Sequence, residues 1–258
     1  MKQAFITPTL SILLPVRNEG INVEMMLRIL TAIINVPQEI LIIYDFPEDD
    51  TIPVIKKMKS KFKNIRLVQN KLGKGIPNAI LAGVNASRGK YILIFAVDDA
   101  GPALAINDMM KLLDDGCDFV SCTRYAYGGR RLGGSFIEGI ISKIANRLFS
   151  LLSGSALTDS TTGFKMFRKT IFEKIVLESA PRGWAVVFEM AVKAQAAGLK
   201  LGEVPIISID RLYGGKSTFK LGSWFREYLR WFIWGVIHLY SLKKRKKHAV
   251  RTPVSTAY

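Results

Sequence analysis

A chain of 258 residues, 49% hydrophobic and 22% charged, is long enough to bury a full core as one large or two small domains and too apolar to be disordered. Its formal net charge of +16 is unevenly placed: from Arg211 to Tyr258 there are eleven Lys or Arg against one acid, Glu227. Such a patch attracts anionic partners, whether phosphates, acidic lipids or nucleic acid. The only histidines, His238 and His248, lie in that basic region, and no CxxC pair exists, which argues against a Cys/His zinc site and a Ser-His-Asp triad.

In chain order, the N-terminal apolar stretch is short and interrupted by Pro8 and Pro15, so SILLPV (11–16) reads as a first strand and not as a leader. A helical pattern follows from Ile21 to Ile34. EILIIYD (39–45) is a second strand ending on Asp45, 51–62 a helix, IRLVQN (65–70) a third strand and 76–87 a helix. YILIFAV (91–97) is a wholly apolar run that stops at Asp98 and Asp99 before Gly101-Pro102. Its composition suits a strand buried on both faces. A helix over about 103–115 leads to a fifth strand, DFVSCTR (118–124). Cys117 and Cys122, five residues apart, fall on opposite faces, which argues against a disulfide and for a reducing compartment. Strands alternating with helices predict an α/β fold, a mostly parallel sheet with helices on both faces.

Beyond Arg124 the pattern changes. A loop with four glycines and two arginines (125–135) precedes an amphipathic helix whose stripe comprises Phe136, Ile140, Ile141, Ile144, Leu148 and Leu152. Such a stripe is ordinarily core or a dimer face. Strands are expected over 162–169 and 201–209, with a helix over 185–197 between them. The segment 223–242 is rich in aromatics and runs into KKRKK (243–247). Its uncharged part, Trp231 to Leu242, would span about 18 Å as a helix against roughly 30 Å of hydrocarbon. It is therefore expected to lie in a membrane interface, with the basic run on anionic headgroups. The competing arrangement is a helix packed on the domain. No nucleic-acid-binding module accompanies the basic run, so nucleic acid is not expected as a partner. The division drawn is 1–222 as a catalytic domain and 223–258 as an interface helix with a basic tail.

Two motifs bear on chemistry. GGKST (214–218) ends like a P-loop, but the required first glycine is Asp210. Lys216 and Ser217 are still suited to cradling phosphate. The acids are more telling, because three strands end in PVRNEG (15–20), YDFPEDDT (44–51) and VDDAG (97–101). In a doubly wound sheet these ends lie side by side, so that Glu19, Asp45 and Asp98 would share one crevice at the carboxyl edge.

This arrangement resembles the family 2 glycosyltransferases of the GT-A fold, and within them the dolichyl- or polyprenyl-phosphate sugar (mannose) synthases. PVRNE, YDFPEDDT, the 70–99 stretch from NKLGKG to VDD, CTRY with the following GG (122–129), DSTTGFKMFR (159–168), EVP (203–205) and Arg211-x-x-Gly214-x-x-Ser217 resemble seven family motifs in the family's order. The resemblance implies that Pro15, Arg17, Glu19 and Asp45 hold the nucleoside of a GDP- or UDP-linked sugar, with Lys74 near the base or ribose. It implies that Asp98 is the first acid of a DxD motif holding Mg²⁺ or Mn²⁺ on the diphosphate. Arg124, Arg130 or Arg131, and the Arg211–Lys220 loop with Lys216, Ser217 and Lys220, would neutralise donor diphosphate or acceptor phosphate. Asp159 and Glu189 would face the transferred sugar or the acceptor. The third DxD position is Ala100, so either Asp99 replaces the lost ligand, or Asp98 acts alone, or metal dependence is weak.

A sugar hydroxyl acceptor would need a general base, which Asp159 or Glu189 would have to supply. A polyprenyl phosphate is already an anion and needs none. The expected activity is therefore inverting sugar transfer to a polyprenyl phosphate on the cytoplasmic face of a membrane. The protein would be peripheral or monotopic, either as a homo-oligomer or with a separate membrane partner. The alternatives are a saccharide or lipopolysaccharide acceptor, and a nucleotide-sugar-binding membrane protein with little catalysis. A nucleotidyltransferase is set aside because PVRNEG stands where its glycine-rich loop would be.

Overall fold

Runs of apolar, largely β-branched residues punctuated by amphipathic stretches build one large sheet. The computed structural model describes residues 7–181, 183–209, 221–240 and 249–251. The first half alternates β1 (Leu10–Val16), α1 (Gly20–Ile33), β2 (Gln38–Tyr44), α2 (Thr51–Met58), β3 (Ile65–Gln69), α3 (Ile76–Ala86) and β4 (Tyr91–Ile94). A 3₁₀ turn, Gly101–Ala105, then leads into α4 (Ile106–Asp114) and β5 (Phe119–Thr123). The second half contains β6 (Arg130–Leu132), α5 (Phe136–Ser153), β7 (Lys165–Arg168), α6 (Ala185–Ala196), β8 (Leu201–Pro205), β9 (Ile207–Ile209), α7 (Leu221–Tyr240) and β10 (Val250–Arg251).

The eight-stranded sheet has the order β10-β8-β5-β7-β4-β1-β2-β3. All its pairings are parallel except those of β7, which runs antiparallel to both β4 and β5. The start of β7 therefore lies at the carboxyl edge of its neighbours. Alternation along β1 sends Ile12 and Leu14 into one core with Leu27, Leu30 and Met109, and Leu13 into the other with Ile80 and Val187. The sheet is thus covered on both faces, as the uninterrupted apolar strands predict.

The expected strand over 201–209 breaks at Ile206. Pro205, which lacks an N–H, closes β8, and the Ile206 N–H bonds the Thr123 carbonyl (3.0 Å). Beyond it β9 leaves the main sheet and pairs with β6 in a two-stranded ribbon.

The helix expected to begin at residue 223 makes part of its contacts with the domain. Trp231 and Leu239 of α7 are fully buried in a third core with Phe149 of α5 and Phe188 and Val192 of α6. Past the basic run the chain returns to the main sheet, where β10 pairs with β8. The helix is thus packed on the domain along one face, while Phe225, Leu229, Ile233 and Ile237 are exposed along the other. No described helix is long and apolar enough to cross a membrane.

Truncating Trp231 to alanine should cost about 3–5 kcal/mol, as for other buried large-to-small changes. Urea denaturation should show a single transition shifted by that amount. A loss under about 1 kcal/mol would mean that α7 is not part of the cooperative core.

Candidate active site

The carboxyl edge of β1, β2, β4 and β5, with the turn that precedes β7, collects most of the expected residues. The first turn, after β1, is built by side chains from across the sheet. Asn18 adopts a left-handed backbone (φ 57°). The N–H groups of Asn18, Glu19 and Gly20 donate to Asp49 Oδ2 (3.1 Å), Thr51 Oγ1 (3.0 Å) and Asp50 Oδ1 (2.9 Å). The acids of YDFPEDDT thus satisfy amides at the start of α1, a role the sequence reading did not assign. Pro15 is buried within β1 and Arg17 is exposed just beyond it. Glu19 accepts from the Asn22 side chain (2.8 Å).

Asp45 ties the next turn. It accepts from Asn70 Nδ2 (2.8 Å) and from the Gly75 N–H (2.9 Å), fixing the Gly73-Lys74-Gly75 turn with Lys74 exposed at its tip. Gly75 is required there, since it has φ 114° and a Cβ would collide with the Pro181 carbonyl.

The adjacent acids Asp98 and Asp99 have separate surroundings. Asp98 is half-buried. Asp99 is buried and accepts from Ser208 Oγ, from the Ile209 N–H (2.8 Å) and from the Gly101 N–H (3.2 Å). Burial raises its pKa above the usual carboxylate range, against those hydrogen bonds. Asp99 therefore clamps β9 to the segment after the fourth strand, with both of its oxygens accepting hydrogen bonds. Gly101 completes the clamp, because a Cβ there would overlap the Ile207 carbonyl oxygen. Through β9 the clamp also holds β6, which carries exposed Arg130 and half-buried Arg131.

At the end of β5, Arg124 grips Asp159. Its Nε donates to Asp159 Oδ2 (2.7 Å) and its Nη2 to Oδ1 (3.0 Å), and the Arg124 amide adds a third bond (3.2 Å). Asp159 is fully buried, whereas the Arg124 side chain keeps 15% exposure. Burial works against the charge on both and is the largest single influence, but the partner's field and hydrogen bonds with the surrounding charges together outweigh it: Asp159 is held below the usual carboxylate range and Arg124 above the usual guanidinium range. The turn is pinned further by Glu203 Oε1, which accepts from the Thr158 (2.7 Å) and Asp159 (3.2 Å) amides. Buried Lys165 Nζ donates to Ser121 Oγ (2.6 Å) and to the Ser160 carbonyl (3.3 Å). Tyr228 of α7 lies within the field of this pair, and burial pushes its phenol up to about 12.

Glu189 of α6 is fully buried as well. It accepts from the Glu178 (2.5 Å) and Ser179 (2.9 Å) amides and pairs with Lys193 (2.8 Å). Neither Asp159 nor Glu189 presents a carboxylate poised to take a proton. Asp159 is the counter-ion of Arg124, and Glu189 anchors the segment before α6. Lys193 stands four residues after Glu189, a spacing that announces such a pair on a helix.

Arg211, Lys216, Ser217, Lys220 and the KKRKK run lie outside the described residues. Among the described residues no three His, Cys, Asp or Glu side chains group as a metal site. Asp98 and the ends of β1 and β2 share an edge without forming an acidic cluster. That donor set suits a cation held by one carboxylate and completed by substrate phosphates and water.

Residues 11–176 match the family described as glycosyl transferase family 2. The chain belongs to that family. This transferase is 26% identical over 163 residues to a polyprenol monophosphomannose synthase of Mycolicibacterium smegmatis, covering 58% of this chain and 62% of that protein. It is 23% identical over 207 residues to a dolichol-phosphate mannosyltransferase of Mycosarcoma maydis, covering 77% of this chain and 70% of that one. Its fold superposes on glucosyl-3-phosphoglycerate synthase of Mycobacterium tuberculosis, solved with Mn²⁺, UDP and glucosyl-3-phosphoglycerate. That superposition has a TM-score of 0.68 at 16% identity and covers 89% of this chain and 80% of that one. The same enzyme solved with Mg²⁺ and UDP gives a TM-score of 0.67. The architecture is accordingly GT-A, as the strand pattern and motifs predict.

Buried Lys165 supplies a test of the network beneath the site. Burial pushes its ammonium down from 10.5 to about 8. Its folded pKa lies below the unfolded one, so in that window the unfolded chain binds the extra proton and stability rises with pH. The difference in unfolding free energy between wild type and Lys165→Met, followed by urea denaturation from about pH 7.5 to about 10.5, should climb in favour of wild type. A difference independent of pH would contradict the burial of a titrating lysine.

Proposed function

We propose that this family 2 glycosyltransferase moves a sugar from a nucleotide-sugar to the phosphate of a polyprenyl phosphate at a membrane surface, inverting the anomeric carbon. One observation carries the choice of acceptor. The two carboxylates expected to deprotonate a hydroxyl are both committed, Asp159 to Arg124 and Glu189 to Lys193 and two backbone amides. A phosphate oxygen is already an anion near neutral pH and asks for positive charge and exclusion of water in place of a base.

In this reading Pro15, Arg17, Glu19 and Asp45 frame the nucleoside, and the Asp45-tied turn offers Lys74 to the base or ribose. Asp98 would hold a Mg²⁺ or Mn²⁺, which when bound supplies positive charge to the departing diphosphate. Arg130 and Arg131, on the ribbon clamped by Asp99, add charge, and the same role falls to Arg211, Lys216, Ser217 and Lys220, which follow β9 in the sequence. Arg124, immobilised by Asp159 and still partly exposed, takes the acceptor phosphate. The acceptor oxygen forms the new bond to the anomeric carbon as the bond to the diphosphate breaks, and no proton moves.

The exposed apolar surface favours a lipid acceptor. All six residues of the α5 stripe, Phe136, Ile140, Ile141, Ile144, Leu148 and Leu152, are exposed, alongside the open face of α7. Contiguous apolar surface of this kind marks an interaction site. Exposed Lys143 and Arg147 on α5 and Arg226 and Arg230 on α7 accompany it, the composition of a surface that lies on anionic lipid.

The direct test offers GDP- and UDP-sugars to the full-length protein with polyprenyl phosphate in anionic vesicles, or with soluble saccharides. Release of nucleoside diphosphate that requires the lipid phosphate is expected, and release driven by saccharides alone would overturn the reading. Asp98→Asn should lower that turnover about 10²–10³-fold with the melting temperature unchanged. Asp99→Asn should instead destabilise the fold by roughly 2 kcal/mol. The opposite pattern in calorimetry and turnover would exchange their roles. Ile141→Glu with Ile144→Glu should abolish co-sedimentation with anionic vesicles without lowering the melting temperature. Unchanged co-sedimentation would remove α5 from the membrane contact.

A further inference from the structure

The face that α5 turns inward consists of three residues, Asn146, Phe149 and Ser153. Phe149 packs edge-on against Phe188 and Phe232, with centroids 4.9 and 5.3 Å away. Ser153 turns back on its own helix, donating to the Phe149 carbonyl (2.7 Å). Asn146 differs from both. Only 4% exposed, it reaches out of the helix with both ends of its amide. Its Nδ2 donates to Thr161 Oγ1 (2.8 Å) as well as to the Ser142 carbonyl (3.0 Å), and its Oδ1 accepts from the Ser160 N–H (2.9 Å).

The Thr161 hydroxyl is the junction. It accepts from Asn146 and from Arg124 Nη2 (3.1 Å), and it donates its one proton to Asp159 Oδ1 (3.1 Å). A hydroxyl has one donor and two acceptor sites, so all three are used. Asparagine is a poor residue for a helix interior. The polar group placed there links the outward-apolar helix to the buried ion pair by two consecutive hydrogen bonds.

We propose that Asn146 is a positioning residue for Arg124, which through Thr161 fixes the guanidinium in the orientation that receives the acceptor phosphate and ties that orientation to the seating of α5. The inference rests on the assignment of Arg124 to the acceptor made above.

The test uses the full-length protein and two readouts. One is hydrogen exchange of the Arg124 Nε–H, followed by nitrogen-15 NMR and assigned with Arg124→Lys. The other is the pair of KM values for nucleotide-sugar and for polyprenyl phosphate in vesicles. Asn146→Leu should speed Nε–H exchange and raise the acceptor KM, each about tenfold, the size of one hydrogen bond. The donor KM should stay unchanged. In a Thr161→Val background the same substitution should add less than about twofold, because the two side chains act through one link. Asn146→Ala removes the bonds to Ser160 and Thr161 without adding a charge or a large side chain. It should behave like Asn146→Leu and stands in for it if that variant does not fold. Unchanged Nε–H exchange, or effects that add fully in the Thr161→Val background, would overturn the proposal. Faster exchange with both KM values unchanged would uphold the link from Asn146 to Arg124 and overturn the placing of Arg124 at the acceptor.

Discussion

A carboxylate wholly removed from water persists as an ion only when charge and hydrogen bonds replace its hydration, and at Asp159 those are supplied by Arg124. The pair ties the end of β5 to the 158–161 turn at the carboxyl edge, just ahead of the antiparallel β7. Losing one partner of such a pair leaves an uncompensated buried charge, at a typical cost of about 3–5 kcal/mol. Glu203 and Lys165 serve the same turn from below, one on its amides and the other on a carbonyl. The consequence for chemistry is a division of labour. The carboxylate is buried in the ion pair, and the guanidinium, still 15% exposed, is a fixed positive charge that the proposed mechanism assigns to the acceptor phosphate.

The same economy recurs around the edge. Asp45 shapes the glycine turn that presents Lys74, Asp49, Asp50 and Thr51 satisfy the amides at the start of α1, and Asp99 clamps the ribbon that carries Arg130 and Arg131. Much of the acidic content of the motifs therefore builds the loops, while the cations line them. An edge rich in positive charge and held by buried acids is suited to a reaction in which donor and acceptor are both phosphates.

The sheet was legible in the sequence because its central strands β1, β2 and β4 are largely apolar runs and helices such as α1, α4 and α5 carry a 3.6-residue stripe, patterns that need no knowledge of the rest of the chain. The site was legible only as far as the edge. Asp45 and Asp98 could be placed there because a strand's end fixes its position. What Asp99 does could not be read, since its partners Ser208 and Ile209 lie more than a hundred residues away. The burial of Asp159 and Glu189, and the antiparallel direction of β7, depend equally on tertiary contacts. Periodicity gave the α5 stripe but not its surroundings, and the exposure of all six residues excludes only the core alternative. The packing of one face of α7 was hidden for a related reason: aromatic composition does not say that Trp231 is fully buried between helices.

The central claim is that the acceptor brings its own negative charge and the protein supplies no base. The pH dependence of kcat/KM tests it most directly when measured with polyprenyl phosphate and with the corresponding phosphonate, whose second ionisation occurs at higher pH. If the account holds, the acid limb of the profile moves to higher pH with the phosphonate, following the acceptor's own ionisation. A limb that stays at one pH for both acceptors would report an ionising group of the protein, and a general base would have to be restored to the mechanism.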